Sequence, residues 1–373
     1  MLTVSVVIPT LNSEKTLRDC LKSIAEQDYP YDNLEIIIAD GGSTDRTLDI
    51  VSEFSSTHNF HLMDETQHST LSTLQLSNSE TRNSQLATRN LYIVSNNLKT
   101  GEAGKAAGLK HAKNDIIAFV DSDNILPDKD WLKNMVEPFD DPEIAASEPI
   151  EYTYRANDGY ITRYCALLGM NDPLCLFLGN YDRYCALTGQ WTEMPHKAED
   201  KGGYLKIELD KMRLPTIGAN GFLIRRSVLE KCDISDYLFD IDVIYEFLNS
   251  SNIADLIKIA KVKTGIIHIF SGDVKTFARK QRRRVKDYLY YNKLGARKYP
   301  WQSINKIKLL KFILSCLTFV PLLIQSIKGY VRKPDKAWFF HPLACWITLW
   351  EYGWGRIRGI FNIRELTREG WRQ

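Results

Sequence analysis

Residues 116–124 read Ile-Ile-Ala-Phe-Val-Asp-Ser-Asp-Asn, an apolar run that stops on two aspartates one residue apart. An apolar run without alternation predicts a strand buried on both faces. Extended backbone places residues i and i+2 on one side, so Asp121 and Asp123 are expected to point together from the strand's carboxyl end. Paired carboxylates are hard oxygen ligands suited to Mg2+ or Mn2+, and such an ion bridges phosphate oxygens. A lone Asp-x-Asp usually marks a solvated turn; the buried strand ahead of it and the alternation around it favour a site.

Strand-like segments Val4 to Pro9, Leu34 to Ala39, Leu91 to Ser95 and Asp115 to Val120 alternate with helix-like segments at 14–28, 45–54 and 104–111. Asn12 or Ser13 is the expected N-cap of the first helix. This order predicts an α/β fold, a mostly parallel sheet with helices on both faces and ligands beyond the strands' carboxyl ends. Asp40 ends the second strand in Asp40-Gly-Gly-Ser-Thr-Asp45; Asp45 is expected to cap the next helix and Asp40 to face a nucleobase or ribose. In Thr100-Gly-Glu-Ala-Gly-Lys-Ala-Ala-Gly108, Ala106 follows Lys105, which excludes a Walker A loop, and no Gly-x-Gly-x-x-Gly is present. Lys105 near a helix start is expected either to approach a diphosphate or to be a solvated lysine.

The 373 residues are 44% hydrophobic and 25% charged, with a formal net charge of +2, so nothing global points to nucleic acid. Seven cysteines without Cys-x-x-Cys spacing predict reduced thiols, neither a disulfide framework nor a thiolate zinc site. The N-terminus reads as a strand and not as a leader. Residues 64–90, rich in Ser, Thr, Gln and Asn, read as an inserted surface loop. The aromatic-rich region from 147 is a candidate acceptor side, with ordinary core aromatics as the alternative. The near-repeat Arg163-Tyr-Cys-Ala-Leu167 and Arg183-Tyr-Cys-Ala-Leu187 is too short to define a repeat architecture.

Four stretches, Val6-Val-Ile-Pro-Thr-Leu-Asn12, Asp40-Gly-Gly-Ser-Thr-Asp45, Gly104-Lys-Ala-Ala-Gly108 and Asp121-Ser-Asp123, resemble in order and spacing the family 2 inverting glycosyltransferases of GT-A fold, over residues 1–270. The resemblance implies a GT-A catalytic domain over 1–270, with 147–240 on the acceptor side. It implies a nucleotide-sugar side made of Pro9, Thr10, Asn12, Asp40, Lys105, Asp121 and Ser122. A divalent cation, Mg2+ or Mn2+, would sit on Asp121, Asp123 and His268, and with Lys105 would stabilise the leaving diphosphate. Ile217-Gly-Ala-Asn-Gly-Phe222 is similar to the family's acceptor loop, which marks Asn220 and Gly221. The acidic segment that follows would hold the general base: Asp242 is preferred, and a shifted alignment selects Asp240. A carboxylate is needed there because an acceptor hydroxyl attacks well only as it loses its proton. Gln281 and Arg284 are similar to the Gln-x-x-Arg-Trp motif of processive synthases, with Val285 in place of Trp.

Residues 271–373 are expected to form a basic, apolar, membrane-associating helical region. Lys275 to Lys298 is densely basic, and Leu309 to Ile327 and Ala337 to Trp350 are apolar, with Pro321 expected to kink the first. Helices lying in the interface, or a short hairpin at the cytoplasmic face of an anionic cell membrane, are expected; a soluble helical layer is the alternative. The expected reaction is sugar transfer from a nucleotide-sugar donor to a lipid-linked or polysaccharide acceptor. A nucleotidyltransferase of sugar phosphates and an inactive membrane-bound sugar-nucleotide sensor are the alternatives.

Overall fold

The computed structural model describes residues 1–64, 89–249, 258–300 and 305–361. β1 (Val4–Thr10), α1 (Leu17–Ala25), β2 (Leu34–Asp40), α2 (Thr47–Thr57), β3 (Phe60–Asp64), β4 (Arg89–Ser95), α3 (Gly101–His111) and β5 (Ile116–Phe119) alternate as the pattern predicts. β3, β4, β2, β1 and β5 lie side by side and parallel. Both faces of these strands are buried. Val6, Ile8, Ile36 and Ile38 pack with Leu17, Leu21 and Ile24 of α1, while Val7, Ile37 and Ala39 pack on the other face with Ala106 of α3. Each such branched side chain contributes about 1.5–3 kcal/mol on burial.

β3 was not foreseen: Phe60-His-Leu-Met-Asp64 is short and mixed. The expected inserted loop is narrower than 64–90, because Asp64 and Arg89 belong to β3 and β4. Its body, 65–88, lies outside the described residues.

Beyond β5 come β6 (Asn124–Ile125), α4 (Trp131–Val136), β7 (Ile144–Thr153), α5 (Tyr160–Leu168), α6 (Leu174–Leu178), β8 (His196–Asp200), β9 (Tyr204–Leu209), β10 (Phe222–Arg225), α7 (Arg226–Leu229), α8 (Asp240–Asn249) and β11 (Lys258–His268). β10 enters antiparallel between β5 and β7, β11 runs parallel to β7, and β9 and β8 close that side antiparallel. Tyr152, Tyr164, Phe177, Tyr181 and Trp191 are buried, so most aromatics of this region build core. Arg163 lies on α5 beside Asp335, whereas Arg183 is buried with Glu148 and Asp182, so the two Arg-Tyr-Cys-Ala-Leu stretches share no environment.

The C-terminal helices are α9 (Val274–Lys293), α10 (Lys306–Thr318), α11 (Val320–Arg332) and α12 (His341–Phe361). Phe277, Phe312, Cys316, Leu322, Trp338 and Cys345 share one core with Tyr164, Leu168 and Phe177, so the layer is packed on the sheet domain. Pro321 does not kink a single helix. The chain breaks at Phe319, whose φ of 62° is left-handed, and Pro321 sits in the first turn of α11, where its missing N–H costs nothing.

Candidate active site

The carboxyl ends of β1 and β2 are register partners, Thr10 opposite Asp40. The Thr10 hydroxyl and Ser43 Oγ donate to Asp40 Oδ1 at 3.0 and 2.6 Å; the Gly42 and Ser43 amides donate to Oδ2 at 2.9 and 2.8 Å. These four donors fill the carboxylate's acceptor sites. Asp40 therefore holds this turn. Asn12, at φ 57°, is not a helix N-cap; its Oδ1 accepts from the Thr44 and Asp45 amides and ties the two loops together. Asp45 stands one residue ahead of the N-cap Arg46 of α2 and accepts from the Thr47 amide and hydroxyl.

Gly104 and Gly108 let α3 lie directly on β1. A Cβ at Gly104 would stand 2.8 Å from Cβ of Pro9, and one at Gly108 would stand 2.3 Å from Cγ1 of Val7. That close approach carries Lys105 inward. Its ammonium is buried and donates to Asp240 Oδ1 at 2.7 Å, so it is no solvated lysine. Burial works against its charge, yet Asp240 and then Asp121 raise its proton affinity above the ordinary value.

Asp240 is the first residue of α8, beside the loop Ile217-Gly-Ala-Asn-Gly221. Gly218, at φ 115°, would place a Cβ 2.7 Å from that of Asp240. Asn220 and Gly221 brace this loop: Asn220 donates to the Tyr152 hydroxyl and accepts from Asn124, and the Gly221 amide donates to Phe119 O. Beneath it Arg183 pairs with buried Glu148 at 2.8 Å and donates to Ala219 O, while Lys261 meets the same Glu148. Burial lowers Lys261 to about 8. Burial likewise pushes the Asp240 carboxyl up to about 6, against the pull of Lys105.

Asp242 is different. Arg297 Nε and the Lys298 amide donate to its Oδ2 at 2.7 and 3.1 Å, and Arg297 Nη2 and the Tyr299 amide to Oδ1 at 3.1 and 3.3 Å. Its acceptor sites are full and it fastens 297–299 to α8. Of the two candidate bases, Asp240 thus pairs with Lys105 and Asp242 with Arg297.

The Asp121–Asp123 stretch is a turn and not extended backbone: the Asn124 amide donates to Asp121 O, and the Asp121 amide to Asn124 Oδ1, both at 2.9 Å. Alternation therefore does not align the carboxylates. Asp121 acts on Lys105 and Asp240, whereas Asp123 lies 3.4 Å from His268 Nε2 and 3.4 Å from Lys280 Nζ. Pairing of β6 with the end of β11 sets His268 opposite Asn124 and so beside Asp123. Although burial opposes its charge, His268 and Lys280 hold Asp123 below the usual carboxylate range. Ser122 meets Ser13 hydroxyl to hydroxyl at 2.9 Å.

Among the described residues no three His, Cys, Asp or Glu side chains converge as a metal cage. Asp123 and His268 remain as a pair. Mg2+ fits such a pair because it takes few protein ligands and keeps waters and phosphate oxygens. Asn171 Nδ2 bonds His268 Nδ1 at 3.1 Å, which turns the Nε2 proton toward Asp123, while Asn171 Oδ1 is buried without a partner. Reversing that amide would let Oδ1 accept from Nδ1 and free Nε2 as a ligand.

Gln281 and Arg284 lie behind this wall. Both donate to Asn171 O at 2.8 Å, and Arg284 also bonds Gln281 Oε1. They hold the 171 loop. Lys261 was not singled out from sequence; Lys280 and Arg297 were read only as charges of a basic run, and Arg183 only as part of a near-repeat.

Residues 5–73 and 78–232, more than half of the chain, match the model of "Glycosyl transferase family 2". A Methanococcus voltae protein named dolichyl N-acetyl-alpha-D-glucosaminyl phosphate 3-beta-D-2,3-diacetamido-2,3-dideoxy-beta-D-glucuronosyltransferase is 31% identical over 136 residues, 36% of this chain and 33% of that one. The Staphylococcus aureus poly(ribitol-phosphate) beta-N-acetylglucosaminyltransferase TarS is 32% identical over 136 residues, 36% of this chain and 18% of that one. The matches thus span a third or less of those relatives. Among solved structures, TarS 1–349 with UDP-GlcNAc aligns at TM-score 0.43 and 19% identity over 77% of this chain and 67% of that one. The mannosyltransferase PcManGT from Pyrobaculum calidifontis, with GDP-Man and Mn2+, aligns at 0.47 and 16% over 95% and 87%. Four motif stretches in order, a sheet that brings them together and a matching family model agree: the chain belongs to glycosyl transferase family 2.

Proposed function

We propose that this protein transfers a sugar from a nucleoside diphosphate sugar to a hydroxyl of a lipid-linked or polymeric glycan, with Asp240 as general base. The observation that carries it is Asp240 itself: a carboxylate on a helix N-terminus, held near 6, paired with Lys105 and within the field of Asp121. In one displacement the acceptor oxygen bonds the anomeric carbon as its proton passes to Asp240. The bond from that carbon to the phosphate oxygen breaks, and its electron pair leaves with the nucleoside diphosphate. Attack opposite the leaving group inverts the anomeric centre. Lys280, 3.4 Å from Asp123, supplies positive charge beside that carboxylate. Asp123 and His268 would hold a divalent cation, which supplies Lewis-acid charge at the diphosphate.

Relatives named for dolichyl-linked and poly(ribitol-phosphate) acceptors support the acceptor class. Purified protein given nucleotide sugars, Mg2+ or Mn2+ and a lipid-linked acceptor is expected to release nucleoside diphosphate only when acceptor is present. Release of pyrophosphate, or no turnover with any donor, would reject sugar transfer.

A further inference from the structure

A surface helix of a folded domain turns its apolar stripe inward. The helices α10, α11 and α12 each do so, through Phe312 and Cys316, Leu322, and Ala344 and Cys345. Each also carries a second apolar stripe that faces out. On α12 it runs Leu343, Trp346, Trp350, Trp354 and Ile357, at steps of three and four residues, with exposures of 48, 38, 62, 43 and 51%. Ile307, Leu310, Leu314 and Leu317 repeat the spacing on α10, and Val320, Ile324, Ile327 and Val331 on α11. Apolar exposure on this scale, borne by three consecutive helices, marks a contact surface.

Charge says which contact. The acids of 305–361 are Asp335 and Glu351 alone. Both turn inward, Asp335 to Arg163 and Glu351 to Arg282. Basic residues, among them Lys306, Lys311, Lys328 and Arg356, recur through the same helices. From these observations we infer that α10, α11 and α12 form a monotopic face that lies in the headgroup layer of an anionic lipid bilayer, anchored by the tryptophan stripe of α12.

Indole rings prefer that layer, and the cations meet acidic headgroups there. A second copy would set like charge against like. No single described helix is long and apolar enough to cross a bilayer, and α10 and α11, which pass that test only together, are bent by 93°. Part of the basic run of 275–298 is spent inside the protein. Lys280, Arg282, Arg284, Arg297 and Lys298 are engaged within the protein, by Asp123, Glu351, Asn171, Asp242 and Glu246.

The test needs no sugar chemistry, so its outcome is separate from that of the transfer reaction. The full chain is sedimented with vesicles of phosphatidylcholine alone or mixed with phosphatidylglycerol, beside the double variant Trp350→Ser, Trp354→Ser. The expected result is binding to the anionic vesicles, weakened by salt, and about tenfold weaker in the variant at an unchanged melting temperature. Tryptophan quenching by brominated lipids is expected to be stronger for shallow than for deep bromines. Four results would overturn the inference: no binding by the parent chain, equal binding by the variant, quenching chiefly from deep bromines, or a concentration-dependent dimer that the variant abolishes.

Discussion

Two carboxylates two residues apart divide the labour at the start of α8. Asp240 keeps a raised proton affinity and a single strong partner, whereas Asp242 spends every acceptor site on Arg297 and two amides. Asp240→Asn is expected to lower kcat by roughly 10²–10⁴-fold with the fold retained, checked by turnover and circular dichroism. Asp242→Ala removes the carboxylate that binds Arg297 and the Lys298 and Tyr299 amides and is expected to cost about 3–5 kcal/mol in urea unfolding. Loss of turnover at unchanged stability in that variant would exchange the two assignments. Below about 6 Asp240 is protonated and cannot accept the acceptor's proton. The rate, measured as kcat/KM against pH, should therefore fall about tenfold per pH unit on the acid side of that value. A flat profile down to the ordinary carboxylate range would remove Asp240 from the role.

Elements meet at this site because glycines let them approach. The spacing Gly104-x-x-x-Gly108 seats α3 on β1, and Gly218 seats the 217–221 loop on Asp240. Gly218→Ala combines a left-handed backbone, costing about 1–2 kcal/mol, with a clash against the base itself. Its kcat is expected to fall by more than its loss of stability explains, which parallel melting and turnover measurements separate. Gly108→Ala clashes with Val7, away from the charged groups, and is expected to cost about 1–3 kcal/mol with the acid limb of the pH profile unmoved. A pH limb that shifts in Gly108→Ala would mean that α3 sets the base's environment more directly than the geometry indicates.

At the scale of the molecule, the helical layer is wired to the chemistry through α9. Lys280 reaches Asp123, the next residue Gln281 holds the 171 loop behind His268, and Arg282 holds Glu351 of α12. Tyr352 of α12 donates to Asp172, next to Asn171. Arg282→Ala is expected to loosen α12 from α9, lower the melting temperature and reduce transfer, while the acid limb stays near 6 because Asp240 lies on another helix. An unchanged rate in that variant would show that the layer docks without positioning the site.

The sequence by itself determined the parallel half of the sheet, since uniformly apolar strands separated by amphipathic helices can bury both faces in one way only. It also marked the chemistry-bearing stretches, because turn glycines and strand-end aspartates are local signals. Which carboxylate meets Lys105 and which meets Arg297 was decided by the tertiary structure. Asp240 and Asp242 look alike in sequence, and only the arrival of Lys105 from α3 and Arg297 from beyond α9 tells them apart. Asp121-x-Asp123 looked extended because strand periodicity was carried one turn too far; the Asn124 side chain ends it. Lys280 vanished into a basic run, since charge counting cannot say which cation is spent inside. The physical reason is common to all of these: hydrophobic pattern acts over neighbouring residues, whereas a buried charge takes its meaning from partners more than a hundred residues away.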